Sequence, residues 1–121
     1  MHAMILAYES PGEFARRTDK AQYKAYIDGW YAYSGALGQA GVLRNAAALL
    51  GPETATVVDI KNGRRIVEDG PYTDSKEQLG GFFVIEVASL DDAAEWAKKC
   101  PAAKEGRVDV RAVPAGFAQE G

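Results

Sequence analysis

The residues able to do chemistry in this chain are acids and aromatic rings rather than nucleophiles. One histidine, His2, and one cysteine, Cys100, are too few for a zinc site of the usual kinds. A Ser-His-Asp relay fails as well, because His2 stands at the start of the first predicted strand. Cys100 closes a predicted helix and precedes Pro101, where the negative end of the helix dipole disfavours a thiolate. A buried spacer is expected there. Gly80 and Gly81 open a strand rather than a helix, so they form no phosphate loop and read as a bulge or a close crossing.

What remains is an acid beside a crowd of rings. Tyr8 ends the first strand, and Tyr23, Tyr26, Trp30, Tyr31 and Tyr33 crowd the first long helix. A tyrosine stripe at helical spacing packs as core with its hydroxyls at the rim; the alternative is a pocket for a small aromatic or polar organic ligand. Asp69 is the best-placed single acid. It ends a hairpin strand and precedes Gly70-Pro71, a rigid corner where a pocket could open. The competing role for Asp69 is an Asx-type turn closed onto nearby backbone amides. Asp74 with Glu77 reads as the cap of a single helical turn. Arg44, Arg107 and Arg111 could pair such acids or hold an anion, although nothing in their spacing requires it. On the pocket reading, the candidate set is Asp69 as the acid of the site, with Tyr8, Tyr26, Trp30, Tyr33, Arg44 and Tyr72 as ligand contacts. No metal or cofactor is implied.

These residues need a frame. "AMILAY" is an apolar run of strand length ended by the turn residues "ESPGE". In the stretch that follows, Tyr23, Tyr26, Ile27, Trp30, Tyr33, Ser34, Leu37 and Ala40 recur at three- and four-residue steps, the period of a helix. Asp19 with Gln22 resembles a capping pair and Gly41 a helix stop. Gly29, Gly35 and Gly38 lie inside this helix, each costing about 1 kcal/mol relative to Ala, and suggest a close backbone approach or a bend. A short strand follows in "GVLRNAAALL". Then "TATVVDIKNGRRIVED" predicts a hairpin, because Asn62-Gly63 can take the positive φ values of a type I′ turn. "GGFFVIEVAS" is a strand. Ser89 with Asp92 begins a second helix that Pro101 stops, and "GRVDVRAV" alternates as a last strand. The order predicts an α+β sandwich of ferredoxin-like βαββαβ type with an inserted β-hairpin, one domain over residues 1–121.

Composition bounds the function. At 121 residues, 47% hydrophobic and 26% charged, the chain is an ordinary single globular domain. A net charge of −3 with scattered Lys and Arg leaves no footprint for direct nucleic-acid binding. No run approaches the roughly 18 apolar residues of a membrane span. The N-terminus lacks a signal-peptide pattern, and the single cysteine fits a cytoplasmic setting. After Gly81, Phe83, Ile85 and Val87 fall on one face of the strand, and Phe82, Val84 and Glu86 on the other. Helices can cover only one of these faces. At about 25 cal/mol per Å², leaving Phe82 and Val84 wet forgoes roughly 4–5 kcal/mol, so a homodimer packed through the open face is expected.

The segment "VEDGPYTDSKEQLGGFFVIEVASLDDAAEWAKKC", with "GRVDVRAV" after it and "MILAYES" at the start, resembles the DGPF-type branch of the YCII-related family. The resemblance spans nearly the whole chain. It implies a dimeric α+β barrel, in keeping with the predicted topology. It also implies that Asp69 matches the Asp of a His–Asp pair used by some members, of which one lineage acts on chlorinated aromatic ring compounds. The matching histidine would fall near Trp30 and Tyr31, where this chain has none, so the dyad is incomplete. Tyr26, Tyr31 or Tyr33 could stand in as proton donor, although a phenol near pKa 10 is a poor base. A second implied role is a non-catalytic module that partners an extracytoplasmic-function sigma factor.

Overall fold

The structure is a computed structural model that describes residues 1–71 and 73–118. Nine main elements follow in order: β1 (His2–Glu9), α1 (Pro11–Arg16), α2 (Tyr23–Gln39), β2 (Leu43–Ala48), β3 (Thr56–Lys61), β4 (Arg64–Asp69), β5 (Gln78–Glu86), α3 (Leu90–Lys98) and β6 (Arg107–Val113). Four strands form one antiparallel sheet in the order β2-β5-β1-β6. With α2 and α3 as crossovers, this is the ferredoxin-like α+β arrangement expected from the sequence. β3 and β4 pair only with each other, as the inserted hairpin. Its turn has Asn62 at φ 51° and Gly63 at φ 75°, the two positive values a type I′ turn demands.

One element was not anticipated. "ESPGE" reads as a turn but folds into α1, because Ser10 and Glu13 cap it reciprocally. Ser10 Oγ accepts from the Glu13 amide at 3.2 Å, and Glu13 Oε1 accepts from the Ser10 amide at 3.0 Å. Pro11 then sits in the first turn, where its missing N–H costs nothing. The Asp19–Gln22 pair instead closes the turn ahead of α2. Asp19 accepts from the Ala21 amide at 2.9 Å and from Gln22 Nε2 at 3.0 Å.

α2 buries Tyr33 and Leu37 against Ile5, Phe83 and Ile85, with Trp30 packed beside them. Trp30 stacks on Phe83 with centroids 6.1 Å apart, and Tyr33 meets the same ring edge-on at 5.2 Å. Ala93 and Ala97 bring α3 down on the same face. The expected close approach at the helix glycines is not found: a Cβ on Gly29, Gly35 or Gly38 would meet nothing within 4 Å. Gly41, at φ 74°, does end the helix region.

The sheet has two unlike faces. Ala3, Ile5, Ala7 and Glu9 of β1 are buried under the helices, whereas His2, Met4, Leu6 and Tyr8 on the other face are half-buried. Leu6 faces Phe82 and Met4 faces Val84 across the strands. Val84 is only 5% exposed within the single chain, so the open face is drier than alternation alone suggested. The residues left to cover there are Met4, Leu6, Tyr8 and Phe82.

Candidate functional site

The strand alternation that buries Ala3, Ile5 and Ala7 carries Glu9 to the same side, and its carboxylate is 1% exposed. A buried carboxylate must be paired or it destabilises the fold by several kcal/mol. Two side chains supply the pairing. Arg17, which caps the C-terminus of α1, directs Nη2 onto Glu9 Oε2; Tyr26, in the first turn of α2, donates its hydroxyl to Glu9 Oε1. Arg17 Nε donates to the Tyr26 oxygen at 3.1 Å, Nη2 also donates to the Gly80 carbonyl at 3.3 Å, and Nη1 donates to the Leu49 carbonyl. One guanidinium thereby joins β1, α2, β5 and the segment after β2.

The paired glycines have two distinct reasons to be there. The β1–β5 register passes from Ala7 opposite Gly81 to Tyr8 opposite Leu79, which leaves Gly80 as the extra residue of a bulge. A Cβ on Gly80 would overlap the Glu9 carboxylate, and one on Gly81 would lie 2.7 Å from the Ala47 carbonyl oxygen. Gly80 therefore makes room for the acid, and Gly81 for the neighbouring strand.

Burial raises the Tyr26 phenol to about 12, and its bond to Glu9 adds to the shift. Burial alone would pull Arg17 down, but its bonds to Tyr26 and Glu9 hold it above the ordinary arginine value. At neutral pH Tyr26 is a fixed donor and Arg17 a fixed cation.

Beside this network lies a cavity of about 440 Å³. Its helix wall carries Tyr23, Tyr26, Ile27, Trp30, Tyr31 and Ser34. Its sheet wall carries Ala46, Ala47, Ala48, Gly80, Gly81 and Phe83, and Glu9 and Arg17 belong to the same lining. Apart from Phe83, the sheet wall has no side chain larger than a methyl group, so a flat surface faces an aromatic one. Among the described residues, the charged side chains of the lining are Glu9 and Arg17, and they pair with each other.

The predicted contacts are divided by this geometry. Tyr26 and Trp30 line the cavity. Tyr33 is core, its hydroxyl donating to the Trp96 carbonyl at 2.8 Å. Tyr8 lies on the opposite face of β1 from Glu9, with the Arg107 guanidinium 5.7 Å from its ring centre. Arg44 pairs with Glu86 at 3.0 Å, at the far end of β5. Asp69 is exposed at the end of β4, opposite Thr56, and is not part of the cavity lining. Tyr72 lies outside the described residues. Cys100 is buried, its thiol pushed up to about 11 by burial.

Sequence reasoning missed Glu9 and Arg17. The signals were present: the β1 alternation points Glu9 inward, and S-P-G-E is a capping box that ends in Arg16-Arg17. Among the described residues, no group of His, Cys, Asp or Glu side chains is placed to hold a metal ion, and no helix is long and apolar enough to cross a membrane.

The model of the YCII-related domain matches residues 1–115. An uncharacterised protein of Rhizobium meliloti (strain 1021) is 42% identical over 60 residues, which make up 50% of this chain and 48% of that protein. The match thus spans about half the length of that relative. Among solved structures, the chain is similar to 5-chloro-2-hydroxyhydroquinone dehydrochlorinase (TftG) from Burkholderia phenoliruptrix AC1100, in complex with 2,5-dihydroxybenzoquinone. The TM-score is 0.54 at 19% identity, over 99% of this chain and 100% of that one. At that identity the likeness is one of fold, the α+β fold of the dimeric α+β barrels.

Proposed function

The chain belongs to the YCII-related domain family, and from that footing we propose that it binds a small, flat, uncharged organic ring carrying hydroxyl groups, in the cavity between α2 and the β2–β5 edge. One observation carries this reading: a wall of glycine and alanine faces a wall of aromatic rings, with an internally neutralised Glu9–Arg17 pair in the same lining. A flat ring fills the gap between two such walls, and the described residues of the lining offer no unpaired charge to a carboxylate or an amine. Each Glu9 oxygen keeps a lone pair beyond its present bond and can accept from a ring hydroxyl. The Tyr26 phenol, its pKa raised to about 12, keeps its proton at neutral pH and does not act as a base. Any proton abstraction from the ring falls to Glu9 rather than to a histidine. The structural neighbour acts on a hydroxylated ring, as its name states, which is in keeping with this class of ligand.

Pairing of two copies through the open face of the sheet is part of the same proposal. It is supported by the half-buried Met4, Leu6, Tyr8 and Phe82, and light scattering at micromolar concentration should give twice the chain mass. A second reading, a protein-binding module such as a sigma-factor partner, draws on the hairpin. There Val58, Ile60 and Val67 are 56%, 70% and 54% exposed on one face. Failure to co-purify with such a partner counts against it.

To test the ligand reading, hydroquinone and benzoate would be titrated into the ¹⁵N-labelled protein. At the Gly80 and Gly81 amides of β5, which line only this cavity, hydroquinone should give saturable shifts and benzoate none, and Trp30→Ala should weaken the response about tenfold or more, the equivalent of about 1.4 kcal/mol. Equal response to both probes, or no response to hydroquinone, overturns it.

A further inference from the structure

α2 has a second cavity at its back. A cleft of about 560 Å³ is lined by residues of α1 and α2 and of the turn at Pro101–Ala103, and Tyr26 and Trp30 belong to the linings of both cavities. The chemistry at the back is different. Arg16, Lys99 and Lys104 face Glu13 and Glu105, three cations against two acids in a chain whose net charge is −3.

Both acids are already engaged. Glu105 pairs with Arg16 at 2.9 Å. Glu13 is buried and turned back onto its own helix cap, accepting from the Ser10 amide at 3.0 Å. That leaves Lys99 and Lys104 as the charges presented to the cleft. Lys99 Nζ stands 4.8 Å from the centre of the Trp96 ring, and the nearby Glu95 carboxylate that feels its charge is paired with Lys98 at 2.8 Å. Apolar surface fills the space between, from Ala21, Ala25 and Pro101.

Two further features point to an occupant. Gly29 lines this cleft in mid-helix, and a Cβ there would meet nothing within 4 Å. The same free space surrounds Gly35 and Gly38, which lie outside the cleft lining; of the three, only Gly29 is placed where a side chain would narrow the cleft. The indole N–H of Trp30, in the shared wall, is buried and has no acceptor among the described residues. Such an orphan donor calls for a missing partner.

We propose that this back cleft binds a small organic carboxylate, its apolar body against Ala25, Gly29 and Pro101 and its charge between Lys99 and Lys104. The site is separate from the ring-binding cavity and does not depend on what that cavity holds. Its bound ligand touches the wall that the two cavities share.

The test uses cyclohexanecarboxylate as probe and cyclohexylmethanol as its uncharged control, in the full-length ¹⁵N-labelled protein. The readout is the Trp30 indole cross-peak, assigned with Trp30→Phe. The carboxylate should shift that peak saturably and the alcohol should not. The double variant Lys99→Gln/Lys104→Gln should weaken the carboxylate about tenfold or more, a difference near 1.4 kcal/mol, while its thermal midpoint and hydroquinone titration stay unchanged. Glu105→Gln, which frees Arg16, should tighten binding. A saturable shift that survives in the double variant, an equal response to the alcohol, or no saturable shift at all overturns the proposal.

Discussion

Glu9 and Asp69 look alike in the chain. Each closes a β-strand and each is followed within two residues by a proline, in Glu9-Ser10-Pro11 and Asp69-Gly70-Pro71. The fold treats them in opposite ways. β1 is an inner strand of the four-stranded sheet with helices packed on one face, so its last inward residue is driven under α2 and must find partners. β4 belongs to a two-stranded hairpin outside that sheet, and its last residue stays in water. The turn chemistry is the same in kind; the layer that covers the strand decides which acid is buried, fixed in place and set against a cavity.

The largest expected effect sharpens this contrast. Glu9→Ala would leave the Arg17 guanidinium and the Tyr26 hydroxyl without their shared acceptor, and urea unfolding should show a loss of about 3 kcal/mol. Asp69→Ala, by comparison, should stay within about 0.5 kcal/mol of the parent, as for other exposed positions. Similar losses at the two sites would erase the distinction. Next in size is Gly80→Ala, whose methyl group would collide with the Glu9 carboxylate. A loss of about 2 kcal/mol is expected from the overpacking. Gly70→Ala just after β4, where φ is 94°, should cost about 1 kcal/mol from backbone strain alone.

A smaller effect is set by pH. The folded-state pKa of Tyr26 is raised from 10.0 to about 12, so its contribution to stability is fully present below pH 10 and is lost as the pH climbs towards 12. Cys100, raised from 9.0 to about 11, acts with the same sign over a lower window. Unfolding free energies measured from pH 8 to 12 should fall, and Tyr26→Phe should flatten the upper part of that fall. A variant with an unchanged slope would contradict the role given to the phenol. The smallest effect has the opposite sign. Gly35→Ala, exposed in α2 with free space around it, should stabilise the chain by about 0.5–1 kcal/mol.

Most of the frame was legible because its signals are local. Asn62-Gly63 specified the hairpin turn, Ser89 and Asp92 the start of α3, and the step of three and four residues through Tyr26, Trp30, Tyr33 and Leu37 the buried side of α2. α1 escaped because proline and glycine in "SPGE" read as a turn, although Ser10 and Glu13 spell a capping box. The ligand cavity was half legible. Tyr26 and Trp30 stood out as aromatics, but Glu9, Arg17 and Gly80 are 8 and 63 residues apart along the chain and meet only once α1 carries Arg17 back over β1 and β5 pairs beside it. The local signals place Glu9 inward and Arg17 at the end of α1, but only the long-range pairing brings Gly80 to them. Asp69 drew attention through its family likeness and its turn, neither of which says what covers the strand it ends.

The most direct test compares the two acids in binding. Calorimetric titration of 1,2,4-trihydroxybenzene, under anaerobic conditions to keep the probe reduced, would be run on the parent, Glu9→Gln and Asp69→Asn, with circular dichroism confirming that each is folded. The expected result is an affinity at least about tenfold weaker in Glu9→Gln, or about 1.4 kcal/mol, and unchanged in Asp69→Asn. Loss of binding in Asp69→Asn with full affinity in Glu9→Gln would contradict a site built on Glu9.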